Sequence, residues 1–119
     1  MSNLLDKIIK LELSLSLKET RSDINIVNKL LHKDFYEYGT SGFIFNRDYT
    51  IEKLVESGHK DEIVSFDFDG RLLDSNIYQL IYKTKRIINN EDIYSLRSSL
   101  WKNENNWQMI FHQASKYIK

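Results

Sequence analysis

An α+β fold is what this sequence predicts, with helices gathered toward the N-terminus and an antiparallel sheet after them. Three observations carry the prediction. Apolar residues recur at helical spacing in three separate segments before residue 58. From residue 62 onward the chain becomes a series of long runs dense in strand-forming residues, split by short polar turns. Aromatic residues make up 13% of the chain and proline is absent, which suits continuous strands.

The first segment is ambiguous over a short window. Leu11 to Leu17 alternates strictly, which taken alone signals a strand. Over a longer window Leu4, Ile8, Leu11 and Leu15 fall at helical spacing, with Leu5, Ile9 and Leu13 on an adjacent row. Leu, Lys and Glu favour helix, so a helix is expected over 3–17. Residues 18–21 then read as a connector. Ser22 or Asp23 can cap a second helix, whose apolar face is Ile24, Val27, Leu30 and Leu31 and whose C-terminal end carries His32 and Lys33.

Residues 35–38 read as a short strand, 39–42 as a turn, and 43–45 as a second extended piece. Asn46 or Asp48 caps a third helix with Ile51, Leu54 and Val55 facing inward and Gly58 as its C-terminal stop. Two long strands follow, over 62–72 and 76–88, with Val64, Phe66 and Phe68 on one face and Asp67 and Asp69 on the other. After the turn at Asn89-Asn90-Glu91-Asp92 comes the last hairpin, with strands on either side of Asn103-Glu104-Asn105-Asn106.

Four turn residues in that hairpin would pair Lys102 with Trp107. Arg97 would then sit opposite His112, Ser99 opposite Ile110 and Trp101 opposite Gln108 on one face. The other face, with Leu96, Ser98, Leu100, Met109, Phe111 and Gln113, reads as core. A cation, a hydroxyl, an indole and an imidazole side by side suit the wall of a pocket.

Composition excludes several roles. Lys plus Arg equals Asp plus Glu at 17 each, with no basic run, so nothing favours nucleic acid or an anionic membrane surface. No apolar segment approaches the roughly 20 residues that span a bilayer, and no secretory signal is visible at the N-terminus. Without cysteine there is no thiolate nucleophile, disulfide or Cys-type metal site, and a cytoplasmic location is the simplest expectation. One domain over 1–119 fits this length.

The order of elements resembles the nuclear-transport-factor-two-like, or cystatin-like, superfamily. More narrowly, three motifs are similar to uncharacterised SnoaL-like proteins. They are Leu30-Leu31-His32-Lys33-Asp34-Phe35-Tyr36-Glu37-Tyr38-Gly39-Thr40-Ser41-Gly42, Arg97-Ser98-Ser99-Leu100-Trp101, and His112-Gln113-Ala114-Ser115. The last departs from the family's His-Gln-Gly-Thr at Ala114 and Ser115. The resemblance implies a cone: a curved antiparallel sheet wrapped on N-terminal helices, with a cavity at its wide end. Relatives use such cavities as isomerases, cyclases or dehydratases, or as binding modules, and many form homodimers through the outer sheet face.

Candidate chemistry centres on that cavity. Arg97 with His112 can bind a carboxylate or polarise a carbonyl; the plainer reading has Arg97 neutralised by Glu37 or Asp67. Glu37, among Phe35, Tyr36 and Tyr38, can carry a raised pKa and act as acid or base, unless it pairs with Arg97 or Arg47. Asp67 is a general-base candidate if it faces inward and a solvated residue otherwise. His112 is the third catalytic candidate. Arg97, Ser99, Trp101, His112 and Glu37 would line the polar end of a ligand site. His32, His59 and His112 are too scattered for a metal, and Asp67-Phe68-Asp69-Gly70 has Tyr78 where a calcium loop needs Glu. No motif requires a cofactor. The expected function is therefore a domain holding a small polar or anionic organic ligand. The alternatives are a proton-transfer enzyme on a carbonyl compound, or a dimeric scaffold whose cone is filled.

Overall fold

The computed structural model describes residues 3–57 and 63–118. Gly58 and His59, read above as a helix stop and a loop histidine, lie outside the described residues. The elements are α1 (Asn3–Ser14), α2 (Lys18–Arg21), α3 (Ile24–Leu30), β1 (Leu31–Tyr38), β2 (Ile44–Asn46), α4 (Arg47–Ser57), β3 (Ile63–Asp74), β4 (Ile77–Ile88), β5 (Glu91–Asn103) and β6 (Trp107–Lys116). The six strands form one curved sheet in the order β2-β1-β6-β5-β4-β3. All pairs are antiparallel except β1 with β6, which is parallel. The helices pack on the concave face, as the α+β prediction requires.

Helix α1 stops at Ser14, three residues short of the expectation, and the predicted connector contains the one-turn helix α2. Arg21 reaches back to donate to the Leu15 carbonyl (2.9 Å), tying α2 to the end of α1. Asp23 caps α3 by accepting from the Asn25 N–H. This helix ends at Leu30, so His32 and Lys33 belong to β1 and not to a helix end. Tertiary pairing overrides local propensity here, because Leu31 adds to β6 opposite Met109 and is 1% exposed. Arg47 spans the junction, donating to the Asn28, Leu31 and His32 carbonyls. Asn46 is the cap of α4, accepting from the Tyr49 N–H.

Two bulges correct the expected faces. In β3 the register shifts between Phe66 and Asp69, and Asp67 has φ 56°. Phe66 and Asp69 consequently pair with Lys83 and Ile81 on the outer face, while Phe68 turns inward and stacks on Tyr82 at 5.0 Å. The second bulge lies in the last hairpin. Its loop holds three residues, not four, so Asn103 pairs with Trp107. Ile110 is then the extra residue, because Trp101 pairs with Met109 while Leu100 pairs with Phe111. Ser99 therefore faces His112, and Arg97 faces Ala114.

The burial of the hairpin departs from the expectation on one of its two faces. The polar face bearing Arg97, Ser99, Trp101 and His112 points into the molecule. Of the face expected to be core, Leu96 lies on the outer side, 42% exposed, while Met109, beyond the Ile110 bulge, is buried in the core as expected. Ile8, Val27, Leu31, Leu80 and Trp101 make the most deeply buried part of the core, between α1, α3 and the concave face. Each such side chain contributes about 1.5–3 kcal/mol of burial free energy.

Candidate functional site

The strand register lays out the concave face residue by residue. Glu37 of β1 lies beside His112 of β6, His112 beside Ser99 of β5, and Ser99 beside Leu80 of β4. In the neighbouring row Ala114, Arg97 and Tyr82 run across the same strands. Helix α1 closes over these rows and inserts one charged residue, Glu12, which is 5% exposed.

Glu12 is the residue that sequence reasoning missed. Tyr82 Oη (2.7 Å) and Ser99 Oγ (2.9 Å) donate to its Oε2, and Trp101 Nε1 (2.9 Å) donates to its Oε1. A signal was present: Glu12 stands four residues after Ile8 and three before Leu15, inside the buried stripe of α1. A carboxylate at the centre of an apolar helix face requires partners on whatever it packs against.

The network fixes its own protons. Ser99 has one hydroxyl hydrogen and gives it to Glu12, so its 2.7 Å contact with His112 Nδ1 must be accepted from an N–H. His112 is thereby the Nδ1–H tautomer, leaving Nε2 to accept from Arg97 NH1 at 3.3 Å. Burial and the Arg97 guanidinium push the His112 pKa down to about 3, so the ring is neutral near pH 7. Burial raises the pKa of Glu12 despite its three donors and Arg97. Arg97 Nε donates to Thr84 Oγ1 (2.9 Å).

Above this layer is a cavity of about 180 Å³, walled by Leu15, Leu31, Phe35, Leu54 and Met109 and reached by Glu12, Glu37, Tyr82, Arg97 and His112. It shares Arg21, Glu37, Thr50 and Leu54 with an outer vestibule of about 310 Å³ that also carries Phe45, Tyr49 and Lys53. The structure thus brings Arg97, His112 and Glu37 together. Ser99 and Trp101 are fully buried and lie behind the wall, bonded to Glu12. Asp67 is remote: it sits exposed on the sheet's outer side, paired with Lys83 at 3.1 Å. Glu37 accepts no hydrogen bond from the described residues. Burial raises its pKa, with Arg97 opposing and Glu12 reinforcing the shift. Arg47, its other expected partner, is committed to the carbonyls at the end of α3.

His32, expected at a helix end, is buried in β1. It accepts from the Asp34 N–H at Nδ1 (3.0 Å), so Nε2 carries the proton toward Glu104 in the last hairpin loop. Among the described residues no group of three or more His, Asp or Glu side chains is placed to hold a metal ion. Also among them, no helix is long and apolar enough to cross a membrane.

No protein-family model matches the sequence, and no curated protein matches it significantly. Solved structures do match. An NTF2-like protein from Cytophaga hutchinsonii superposes with a TM-score of 0.80 at 18% identity, covering 98% of this chain and 100% of that one. A candidate ketosteroid isomerase from Parabacteroides distasonis gives 0.74 at 15% identity, with 98% and 89% covered. The association domain of C. elegans CaMKII gives 0.70 at 10% identity, with 95% and 92% covered. At these identities the likeness is one of fold. The chain has the NTF2-like, cystatin-like fold, an α+β cone of curved sheet and N-terminal helices.

Two predictions follow from the Glu12 network. Glu12→Ala strands three buried donors and is expected to cost more than about 3 kcal/mol in urea unfolding, with Glu12→Gln losing less because one carbonyl oxygen remains. The second concerns pH. Unfolded His112 binds its proton near pH 6.5 and the folded ring only near 3, so acidification through that window removes stability, by up to about 1.4 kcal/mol per pH unit. Glu12, with its folded pKa raised, acts oppositely: its contribution is complete below 4.5 and falls as pH rises through the raised value. Unfolding measured across pH 3–8 should therefore lose part of its acid-side slope in His112→Asn and part of its high-pH decline in Glu12→Gln. Unchanged profiles would refute the assignment.

Proposed function

We propose that this chain is a ligand-binding domain whose cone cavity takes a compact organic molecule with a carboxylate or carbonyl at one end. One observation carries the reading. The polar groups of the concave face satisfy one another around Glu12, except for two that face the cavity uncommitted. These are the Glu37 carboxyl and the NH2 group of Arg97, which makes no hydrogen bond to the described residues. An apolar wall with a small number of convergent polar groups is what small-molecule sites have. The cavity alone lies below the usual ~300–1,000 Å³, and its continuation into the vestibule brings the space into that range. The polar end of the ligand meets Arg97, and its apolar body lies along Phe35, Leu54 and Met109.

A second reading has its own support. A carboxyl with a raised pKa beside a guanidinium has the parts for moving a proton next to a carbonyl, with Glu37 as base and Arg97 as electrophilic partner. His112 is a poorer proton carrier there, since its ring stays neutral and both nitrogens are engaged. Asp67, on the wrong side of the sheet, has no part in it.

We also infer a homodimer formed through the outer sheet face. Tyr36, Tyr38, Ile81 and Leu96 leave 41–46% of their surface exposed there, an apolar surface that a second copy can cover about a two-fold axis.

Thermal unfolding against a library of small carboxylates and carbonyl compounds tests the site. A ligand is expected to raise the wild-type melting temperature and to lose most of that effect in Arg97→Gln. Equal shifts in both proteins would overturn the placement at Arg97. If a hit is also turned over, Glu37→Gln should reduce the rate by roughly 10²-fold or more, the share of a general acid or base. For the dimer, sedimentation should find wild type near twice the chain mass and Leu96→Glu near the chain mass. A wild-type monomer would refute that interface.

A further inference from the structure

The cone cavity has groups of opposite charge at one end, and their placement narrows what it can take. Glu37 of β1 is the cross-strand neighbour of His112 on β6. Arg97 starts from β5, opposite Ala114, and its guanidinium runs back to His112, where one terminal nitrogen stands 3.3 Å from Nε2. The head of Arg97 therefore lies over the strand next to Glu37, offset from it by about one strand spacing, ~4.8 Å. The two groups are not ion-paired with each other. Glu37 takes no hydrogen bond from the described residues. Arg97 gives Nε to Thr84 and one terminal nitrogen to His112, which leaves the other terminal nitrogen for the cavity.

A simple carboxylate fits this end poorly. Bound at Arg97, it would be the third carboxyl there, beside Glu12 and Glu37, which both reach the cavity. Arg97 already serves those two, opposing the burial that raises the pKa of each. Repulsion among carboxylates is stronger in such a buried setting than in water. A ligand with a positive group beside its carboxylate removes that repulsion and supplies the donor that Glu37 lacks. The rest of the lining shows what the ligand carries away from its charged end. Phe35, Leu54 and Met109 lead outward to the vestibule, where Phe45 and Tyr49 stack with centroids 5.2 Å apart and planes 8° from parallel. Gly39 makes room for this, because a Cβ there would stand 2.7 Å from Phe45 Cε2. Of the cations nearby, Arg21 is tied to the Leu15 carbonyl and Lys53 lies over the Tyr49 ring, 5.5 Å from its centre.

Resting on the reading of the cone cavity as a ligand site, we propose that its ligand class is the free α-amino acids with an aromatic side chain: the ammonium meets Glu37, the carboxylate meets Arg97, and the ring runs outward to Phe45 and Tyr49. An α-amino acid carries its two charges on one carbon and its neighbour, so a single small molecule can bridge groups one strand apart. As a zwitterion it adds no net charge to the cavity. An aromatic acid without the ammonium leaves Glu37 unanswered, and an aromatic amine without the carboxylate leaves the free nitrogen of Arg97 unanswered.

The experiment is calorimetric titration of the full chain near neutral pH with L-phenylalanine, 3-phenylpropionate, 2-phenylethylamine and L-alanine. Phenylalanine is expected to bind saturably and roughly tenfold or more tighter than the acid or the amine, each of which lacks one charge-assisted hydrogen bond. Alanine, with both charges and no ring, should bind more weakly than phenylalanine by a similar factor. Glu37→Gln should bring phenylalanine down to the affinity of 3-phenylpropionate, while the acid itself binds this variant as well as wild type or better, because a repelling carboxyl is gone. The unliganded variant should melt no lower than wild type, an outcome that a structural role for Glu37 would not give. If 3-phenylpropionate binds as tightly as phenylalanine, or if Glu37→Gln discriminates between them as wild type does, the amino-acid assignment is wrong and the cavity stands as a carboxylate site. Alanine binding as tightly as phenylalanine would overturn the aromatic part. No binding of phenylalanine also refutes the assignment; the cavity reading itself falls only if the carboxylate and carbonyl library leaves wild type unshifted as well.

Discussion

The structure depends on one buried carboxylate. Glu12 arrives from the helix layer and takes hydrogen bonds from three strand residues, Tyr82, Ser99 and Trp101, which belong to two adjacent strands. Hydrophobic contact between α1 and the sheet is non-directional and would tolerate a range of helix positions. Three donors converging on two oxygens do not. A carboxylate moved out of that geometry would keep its desolvation cost and lose its compensation. Glu12 thus sets where the helix lies on the sheet, and through that the shape of the cavity beside it.

The same group determines what the site can offer. Because Ser99 donates to Glu12, it must accept from His112; because His112 gives up its Nδ1 proton to that bond, its Nε2 must accept from Arg97. Each step removes a freedom from the next residue. The imidazole, a natural pH-sensitive group, is held neutral by burial and by the neighbouring guanidinium. What remains uncommitted toward the cavity is Glu37 and one face of Arg97. The polar wall is therefore mostly scaffold, and its reactive part is small.

Beside the cavity, Arg97 is held from two sides, by Thr84 and by His112. Its position follows from the hairpin bulge: with Ala114 opposite, the long side chain has room to lie diagonally between Thr84 and His112. A larger residue at 114 would compete for that room. The departure from the Gly-Thr of the resembling motif at Ala114 and Ser115 still leaves a small side chain opposite Arg97.

The fold class was legible in the sequence, because helical leucine spacing and long proline-free strand runs are local signals and the structure keeps both. So were the caps, each to within two candidates, Ser22 or Asp23 and Asn46 or Asp48, of which the structure uses Asp23 and Asn46. The pairing of Arg97 with His112 was close, although the route was not: their contact is diagonal, and Ser99 is the direct neighbour. What the tertiary structure alone decided has a common cause. A bulge at Ile110 and another at Asp67 each reverse which face a strand presents, and a bulge depends on what the opposite strand and the core require. His32 passed from helix to strand because β6 offered Leu31 a partner. Glu12 looked like one more charge on an amphipathic helix, since a sequence shows that a carboxylate lies within an apolar stripe but not that three donors wait across the interface. Composition and periodicity determined the kinds of elements and their order; register, face and the state of each buried proton were settled only where distant strands met.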